Sequence, residues 1–143
     1  MHTLQQILNQ KETNEIWSVT PTATVFEAIQ VMADKRAGAL LVMDGVKLEG
    51  IISERDYARE VILKGRSSKK TLVGEIMSAN VITVAPSDSV QGALELMTQH
   101  RIRHLPVVDD TTVVGVLSIG DLVKDVISAQ QSTIEQLENY IRT

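Results

Sequence analysis

The chain repeats itself. Laying Val19 onward over Val84 onward, a shift of 65, aligns 19–62 with 84–127 without a gap, and 14 of the 44 positions are identical. About three identities would arise by chance from average composition. Among the matches are Pro21 with Pro86, Met32 with Met97, Gly50 with Gly115, Ser53 with Ser118 and Asp56 with Asp121. A chain built this way folds as two like units in tandem, and whatever one copy does locally the other should do 65 residues later.

Each copy reads as an extended Val-x-Pro, a helix, two apolar strands and a second helix. In the first, Thr24 and Glu27 have capping-box spacing, and Val25, Ala28, Ile29 and Met32 form one apolar face, which predicts a helix over about 24–36. The apolar runs 40–43 and 48–52 flank Asp44-Gly45, a strong hairpin turn signal, and a second helix is expected from about Ser53. In the second copy the helix face is Val90, Ala93, Leu94 and Met97, the strands are 105–108 and 113–117, and the last helix begins near Ser118. Outside the repeat, Leu4, Ile7 and Leu8 suggest a lead-in helix, and Ile134, Leu137, Glu138 and Ile141 another at the end. Gly65-Arg66-Ser67-Ser68-Lys69-Lys70 interrupts the apolar pattern as a linker does. The expected plan is a lead-in helix (1–15), a first unit (16–64), a linker (65–74) with a hinge over 64–71, a second unit (75–128) and a terminal helix (129–143). The fold class is a mixed α/β chain of the α+β kind, each unit β-α-β-β-α.

Composition narrows the function. The 143 residues include no cysteine, which removes disulfides, Cys-ligated zinc and thiol nucleophiles and makes a reducing compartment, the cytoplasm, the expected location. The apolar run 37–43 falls far short of the roughly 20 residues of a membrane span. The start, Met1-His2-Thr3-Leu4-Gln5, has neither the basic residues nor the apolar stretch of a secretory signal. A net charge of −4 and only four aromatics, Trp17, Phe26, Tyr57 and Tyr140, argue against nucleic-acid binding.

The segment Gly50-Ile51-Ile52-Ser53-Glu54-Arg55-Asp56 returns as Gly115-Val116-Leu117-Ser118-Ile119-Gly120-Asp121, a strand running into the first turn of a helix. A helix start offers unpaired N–H groups and a positive dipole end for a phosphate, and the carboxylate three residues on could accept hydrogen bonds from ribose hydroxyls. The same residues also fit two capping boxes, Ser on the helix and Asp reaching back, and a duplicated fold duplicates its caps. Both readings stand on the spacing alone.

The paired pattern of Val-x-Pro, apolar helix, Arg103-His104-Leu105-Pro106-Val107-Val108 and Gly-x-x-Ser-x-x-Asp resembles a tandem of CBS domains, named for cystathionine β-synthase, over about 16–127. The first copy departs where Leu41 replaces the strand proline and Gly38-Ala39 replaces Arg103-His104. The resemblance implies two units packed by their sheets as a pseudo-twofold module, with regulatory clefts for adenosine-containing ligands. It implies that Asp56 and Asp121 bind ribose, that Ser53 and Ser118 sit by the phosphates, and that Ile51 and Val116 line the adenine pocket. Each cleft would be completed by the other unit, with Val81, Ile82, Arg103, His104 and Pro106 facing Asp56, and Ile16, Trp17, Gly38 and Ala39 facing Asp121. Arg55, Arg103 and His104 would then draw phosphates to the Asp56 side, where the Asp121 side has Gly120 and Gly38. A homodimer through the faces of Val25, Ile29, Leu94 and Met97, with Tyr140 and Ile141, is implied as well.

Other chemistry lacks its apparatus. His100 and His104 are four apart, but no Glu follows His100, arginines flank the pair, and the repeat puts His104 in a strand, so no metal is expected. Ser118-Ile119-Gly120 has Val116 where a nucleophile elbow needs glycine, and no phosphate-binding Gly-rich loop is present. The expectation is a non-enzymatic sensor of AMP, ADP, ATP or NAD(H) that reports to an effector protein of unknown identity; the alternative is an interaction scaffold with vestigial clefts.

Overall fold

The computed structural model describes residues 2–11 and 16–142. Residues 12–15, the end of the expected lead-in segment, and residues 1 and 143 lie outside the described residues. In chain order the elements are α1 (Leu4–Gln10), β1 (Ser18–Val19), α2 (Val25–Lys35), β2 (Ala39–Asp44), β3 (Lys47–Ser53), α3 (Glu54–Tyr57) running into a π-helical turn (Ala58–Ile62), α4 (Val73–Ile76), α5 (Val90–His100), β4 (His104–Asp109), β5 (Thr112–Ser118) and α6 (Ile119–Arg142). They form two compact units, Glu15–Val81 and Met1–Asn14 with Ile82–Thr143. The architecture is α+β.

The 65-residue shift holds in detail. α2 and α5, β2 and β4, and β3 and β5 each begin and end in register. Thr24 caps α2 and Ser89 caps α5. Of the capping box expected at Thr24 and Glu27, the Thr24 hydroxyl accepting from the Glu27 N–H at 3.1 Å is the half that forms. Arg36 and Arg101 end the two helices in the left-handed region at φ 54° and 55°. Both hairpins carry an irregularity at the same place, Val42/Met43 and Val107/Val108, and turn through a positive-φ residue, Gly45 or Asp110. Strand period and helix period put matched residues inside: Val25, Ala28, Met32, Leu40, Val42 and Ile52 in one core, Val90, Ala93, Met97, Leu105, Val107 and Leu117 in the other. Fully burying the Val, Leu, Ile and Met side chains among them contributes about 1.5–3 kcal/mol each.

The short helices show a second relationship between the units. In the first unit, Val73 N–H donates to Ala23 and Gly74 N–H to Pro21; in the second, Leu4 N–H donates to Asp88 and Gln5 N–H to Pro86. Acceptors Ala23 and Asp88, and Pro21 and Pro86, are 65 apart, so α1 and α4 play one role. The helix ahead of the first repeat therefore covers the core of the second, and the helix ahead of the second covers the first. Leu4, Ile7 and Leu8 are buried in one core as Val73 and Ile76 are in the other.

Several expectations change. The lead-in helix belongs to the unit of the second repeat. The stretch expected as a linker and hinge lies within the first unit: Thr71 is buried and its carbonyl accepts from Val25 N–H, Ser68 accepts from Phe26 N–H, and Lys69 lies 5.0 Å from the Phe26 ring. The separate terminal helix is the continuation of α6, because no residue in 119–142 stops a helix. Val25 and Met97 are buried in the cores, at 0% and 1% exposure, which withdraws them from any dimer face.

Candidate functional site

Each unit brings a strand into a helix at its repeated corner. At the first, Ser53 ends β3 and caps α3: Ser53 N–H donates to Asp56 Oδ2 at 2.9 Å, Ser53 Oγ lies 3.0 Å from the same oxygen, and Asp56 N–H donates to Ser53 Oγ at 3.2 Å. At the second, Ser118 N–H donates to Asp121 Oδ2 at 2.8 Å and Asp121 N–H to Ser118 Oγ at 3.2 Å. The capping boxes readable in the sequence are therefore formed. The first helical N–H is also taken, Glu54 by the Gly38 carbonyl at 3.0 Å and Ile119 by the Arg103 carbonyl at 2.8 Å. With the first and third N–H groups paired, Arg55 N–H or Gly120 N–H is what each first turn keeps outside these bonds. The chemistry left at each corner is chiefly a partly buried carboxylate on a rigid frame.

Around Asp56, the hairpin sets Ala39 opposite Ser53 and Ile51 opposite Leu41, and the Trp17 carbonyl accepts from Leu41 N–H at 3.2 Å. Ile16, Trp17, Gly38 and Ala39 are half-buried in this unit and Arg55 is exposed. Around Asp121, His104 stands opposite Ser118 and Pro106 opposite Val116; Pro106 is buried, His104 half-buried and Arg103 exposed. Val81 and Ile82 are half-buried, one in each unit.

The glycine before each corner is a packing requirement. A Cβ on Gly50 would lie 2.8 Å from Met77 Sδ and from the Ser78 carbonyl oxygen, and one on Gly115 would lie 2.6 Å from Leu8 Cδ2. Leu8 of α1 presses on one strand and the Met77-Ser78 segment just after α4 on the other, so the glycines that introduce the motif make room for those neighbours.

One charged residue at the site was not singled out from the sequence. Lys11, just after α1, places Nζ 3.1 Å from Asp121 Oδ2 and 3.1 Å from the Val116 carbonyl oxygen. Its signal was available: Leu4, Ile7 and Leu8 echo Val73, Ile76 and Met77, which ties α1 to a repeat core and puts the next cation near that unit's corner. In the first unit the matching strand residue, Ile51, instead exchanges backbone hydrogen bonds with Ser78 at 3.0 and 2.8 Å. Among the described residues Asp56 forms no ion pair, and no group of three or more His, Asp or Glu side chains could hold a metal. Away from the corner, the Lys64 ammonium hydrogen-bonds Glu60 and holds its carboxyl below the usual range. No helix among the described residues is long and apolar enough to cross a membrane.

The CBS domain family model matches residues 12–63 and 73–128. The CBS domain-containing protein CBSX3, mitochondrial, of Arabidopsis thaliana is 42% identical over 132 residues, which is 89% of this chain and 64% of that protein. The CBS domain-containing protein YhcV of Bacillus subtilis is 34% identical over 84% of this chain and 85% of its own length. Among solved structures, a candidate signal-transduction protein with CBS domains from Burkholderia ambifaria is 52% identical with a TM-score of 0.87, over 90% of this chain and 96% of that one. The CBS domain pair of protein MJ0100, in complex with 5'-methylthioadenosine and S-adenosyl-L-methionine, is 25% identical with a TM-score of 0.77, over 90% and 98%.

Proposed function

The chain belongs to the CBS domain family as a tandem pair of its units, and from that premise we propose that it is a regulatory module that senses an adenosine-containing ligand and catalyses nothing. The ligand is AMP, ADP, ATP or NAD(H), and no metal is required. The observation that carries this reading is the repeated corner: Asp56 and Asp121 stand on strand-to-helix turns, partly buried and fixed by Ser53 and Ser118. A fixed, desolvated carboxylate is a strong acceptor for a pair of ribose hydroxyls. The methylthioadenosine and S-adenosylmethionine on the MJ0100 pair support an adenosine ligand for the fold.

In this proposal Asp56 and Asp121 hold ribose, and Ile51 and Val116 lie along adenine. Ser53, Ser118, Arg55, Arg103 and His104 serve the phosphates, with Ile16, Trp17, Gly38, Ala39, Val81, Ile82 and Pro106 completing the sites. A ligand shifts such a module only through different affinities for its conformations. The module works in the cytoplasm as a homodimer, its output read by an effector protein, with no membrane or nucleic acid engaged. For the dimer, Ile29, Leu94, Tyr140 and Ile141 remain as the contributing faces.

One observation favours a second reading. The carboxylates are already used by the capping boxes, which accounts for both corners without a ligand, as in an interaction scaffold. Calorimetric titration of the folded protein with AMP, ADP, ATP, NAD+ and NADH, after mass spectrometry for co-purified nucleotide, separates the two. Saturable binding that Asp56→Ala weakens by about 10- to 100-fold is the expected result. Folded protein that carries no nucleotide and gives no heat is a scaffold.

A further inference from the structure

The repeat makes two corners with the same capping bonds, and the chain treats their carboxylates differently. In the first unit the backbone of Ile51 is satisfied by the backbone of Ser78, and Ser53 Oγ sits on Asp56. In the second, α1 ends in Lys11, whose ammonium bridges Asp121 Oδ2 and the Val116 carbonyl at 3.1 Å each. Val116 is the repeat partner of Ile51, so a lysine head stands where the first unit has a strand-like backbone contact, and it reaches on to the carboxylate. Both side chains are about three-quarters buried, with 28% of Lys11 and 25% of Asp121 exposed.

We propose that Lys11 is a built-in competitor at the Asp121 site, an autoinhibitory contact that leaves Asp56 as the carboxylate open to ligand. The inference rests on the nucleotide-sensing reading above. An adenosine ligand that draws on Asp121 Oδ2 must first displace the ammonium from that oxygen, whereas Asp56 Oδ2 carries only the bonds of its own cap. The contact is a gate and not a lock, because an ion pair with a quarter of its surface in water is only modestly stabilising. A recess of about 330 Å3 beside it, lined by Lys11, Asp121, Gln10, Lys124 and Ser128 among others, gives the lysine side chain room to swing without moving the backbone. The site thus responds at higher ligand concentration than its twin, and one chain covers two concentration ranges.

The test isolates the second site by working in Asp56→Asn protein, titrated with ATP and with AMP by calorimetry. Adding Lys11→Ala is expected to tighten the remaining binding event about tenfold, with Lys11→Gln intermediate, and Asp121→Asn to abolish the gain. In a chain with native Asp56, the tighter event should be unmoved by Lys11→Ala. Far-UV dichroism and a denaturation midpoint confirm that each variant is folded. Unchanged affinity at the second site overturns the inference, and weakened affinity does so by making Lys11 a phosphate contact. Nucleotide uptake by the native chain with no response to Lys11→Ala sinks this inference alone, whereas no uptake by the native chain sinks the nucleotide reading itself.

Discussion

His2 Nδ1 lies 2.5 Å from Asp125 Oδ1, joining residues 123 positions apart. Asp125 is the one charged side chain among the buried residues of α6, 8% exposed, and the His2 carbonyl also accepts from Val90 N–H. The beginning of the chain is thereby fastened to the unit that ends it. The His2 side chain is 41% exposed and that of Asp125 8%, so removing His2 costs about 1 kcal/mol, the low end for a buried group left without its bond. His2→Ala should lower the stability of that unit by this amount in urea denaturation. The double variant with Asp125→Leu should recover part of the loss, and strictly additive effects would mean the pair does not form.

Gly50 and Gly115 are repeat partners whose substitution should not cost the same. At Gly115 the added methyl meets Leu8 Cδ2, the end of a flexible side chain, whereas at Gly50 it meets the Ser78 carbonyl oxygen at 2.8 Å, which cannot move without the backbone. Overpacking typically costs about 1–3 kcal/mol. Gly50→Ala is expected at the upper end and Gly115→Ala at the lower, measured from denaturation midpoints. The reverse order would show that the α1 contact is the more rigid one.

Much of this fold was legible because the repeat doubled its main signals. The apolar faces of α2 and α5, the apolar runs of β2 through β5 and the Ser-to-Asp corners were each written twice in the same register, and the Asp44-Gly45 turn once. What was missed is what the alignment could not contain. α1 and α4 lie outside the gapless span, and each covers the core of the repeat it does not precede, a long-range exchange that no local period encodes. Thr71 looked like linker because its neighbours are basic and small, yet its value lies in a carbonyl bound to Val25 N–H. Lys11 was passed over because its role comes from the placement of α1, 110 residues from Asp121, and the echo of Leu4, Ile7 and Leu8 in Val73, Ile76 and Met77 is its one trace in the sequence. The carboxylates themselves were readable, together with the capping role that competes with a binding one.

Arg103 separates phosphate recognition from support of the fold. Its carbonyl holds Ile119 N–H at 2.8 Å, a bond any residue can supply, while its side chain is exposed. Arg103→Ala should therefore leave stability nearly unchanged. Under the proposed function it should weaken ATP or NAD(H) by about 10- to 100-fold, the worth of charge-assisted hydrogen bonds. Adenosine, lacking phosphate, should bind within about twofold of native. Equal losses for ATP and adenosine would assign Arg103 to the fold.

From Ile127 onward every described residue of α6 is exposed, through Arg142. A helix of that length without tertiary packing is marginal in water, so its persistence asks for a partner. The exposed apolar residues Val123, Ile127, Ile134, Leu137 and Ile141 recur at three- and four-residue steps along one stripe, with Gln130 filling the gap. Ile127, Ile134 and Ile141 repeat at one heptad position and Val123, Gln130 and Leu137 at the other, a seam like that of a helix pair with one polar residue in it. The proposed homodimer should use this stripe. Burying Leu137 in both copies contributes about 1.5–3 kcal/mol per chain, so Leu137→Asp should raise the dimer dissociation constant at least 100-fold in sedimentation equilibrium. The two cores keep their residues in that variant, because Leu137 belongs to neither. A native chain that sediments as a monomer at high micromolar concentration would remove the dimer from the proposal, and a dimer indifferent to Leu137→Asp would move it to the faces of Ile29 and Leu94.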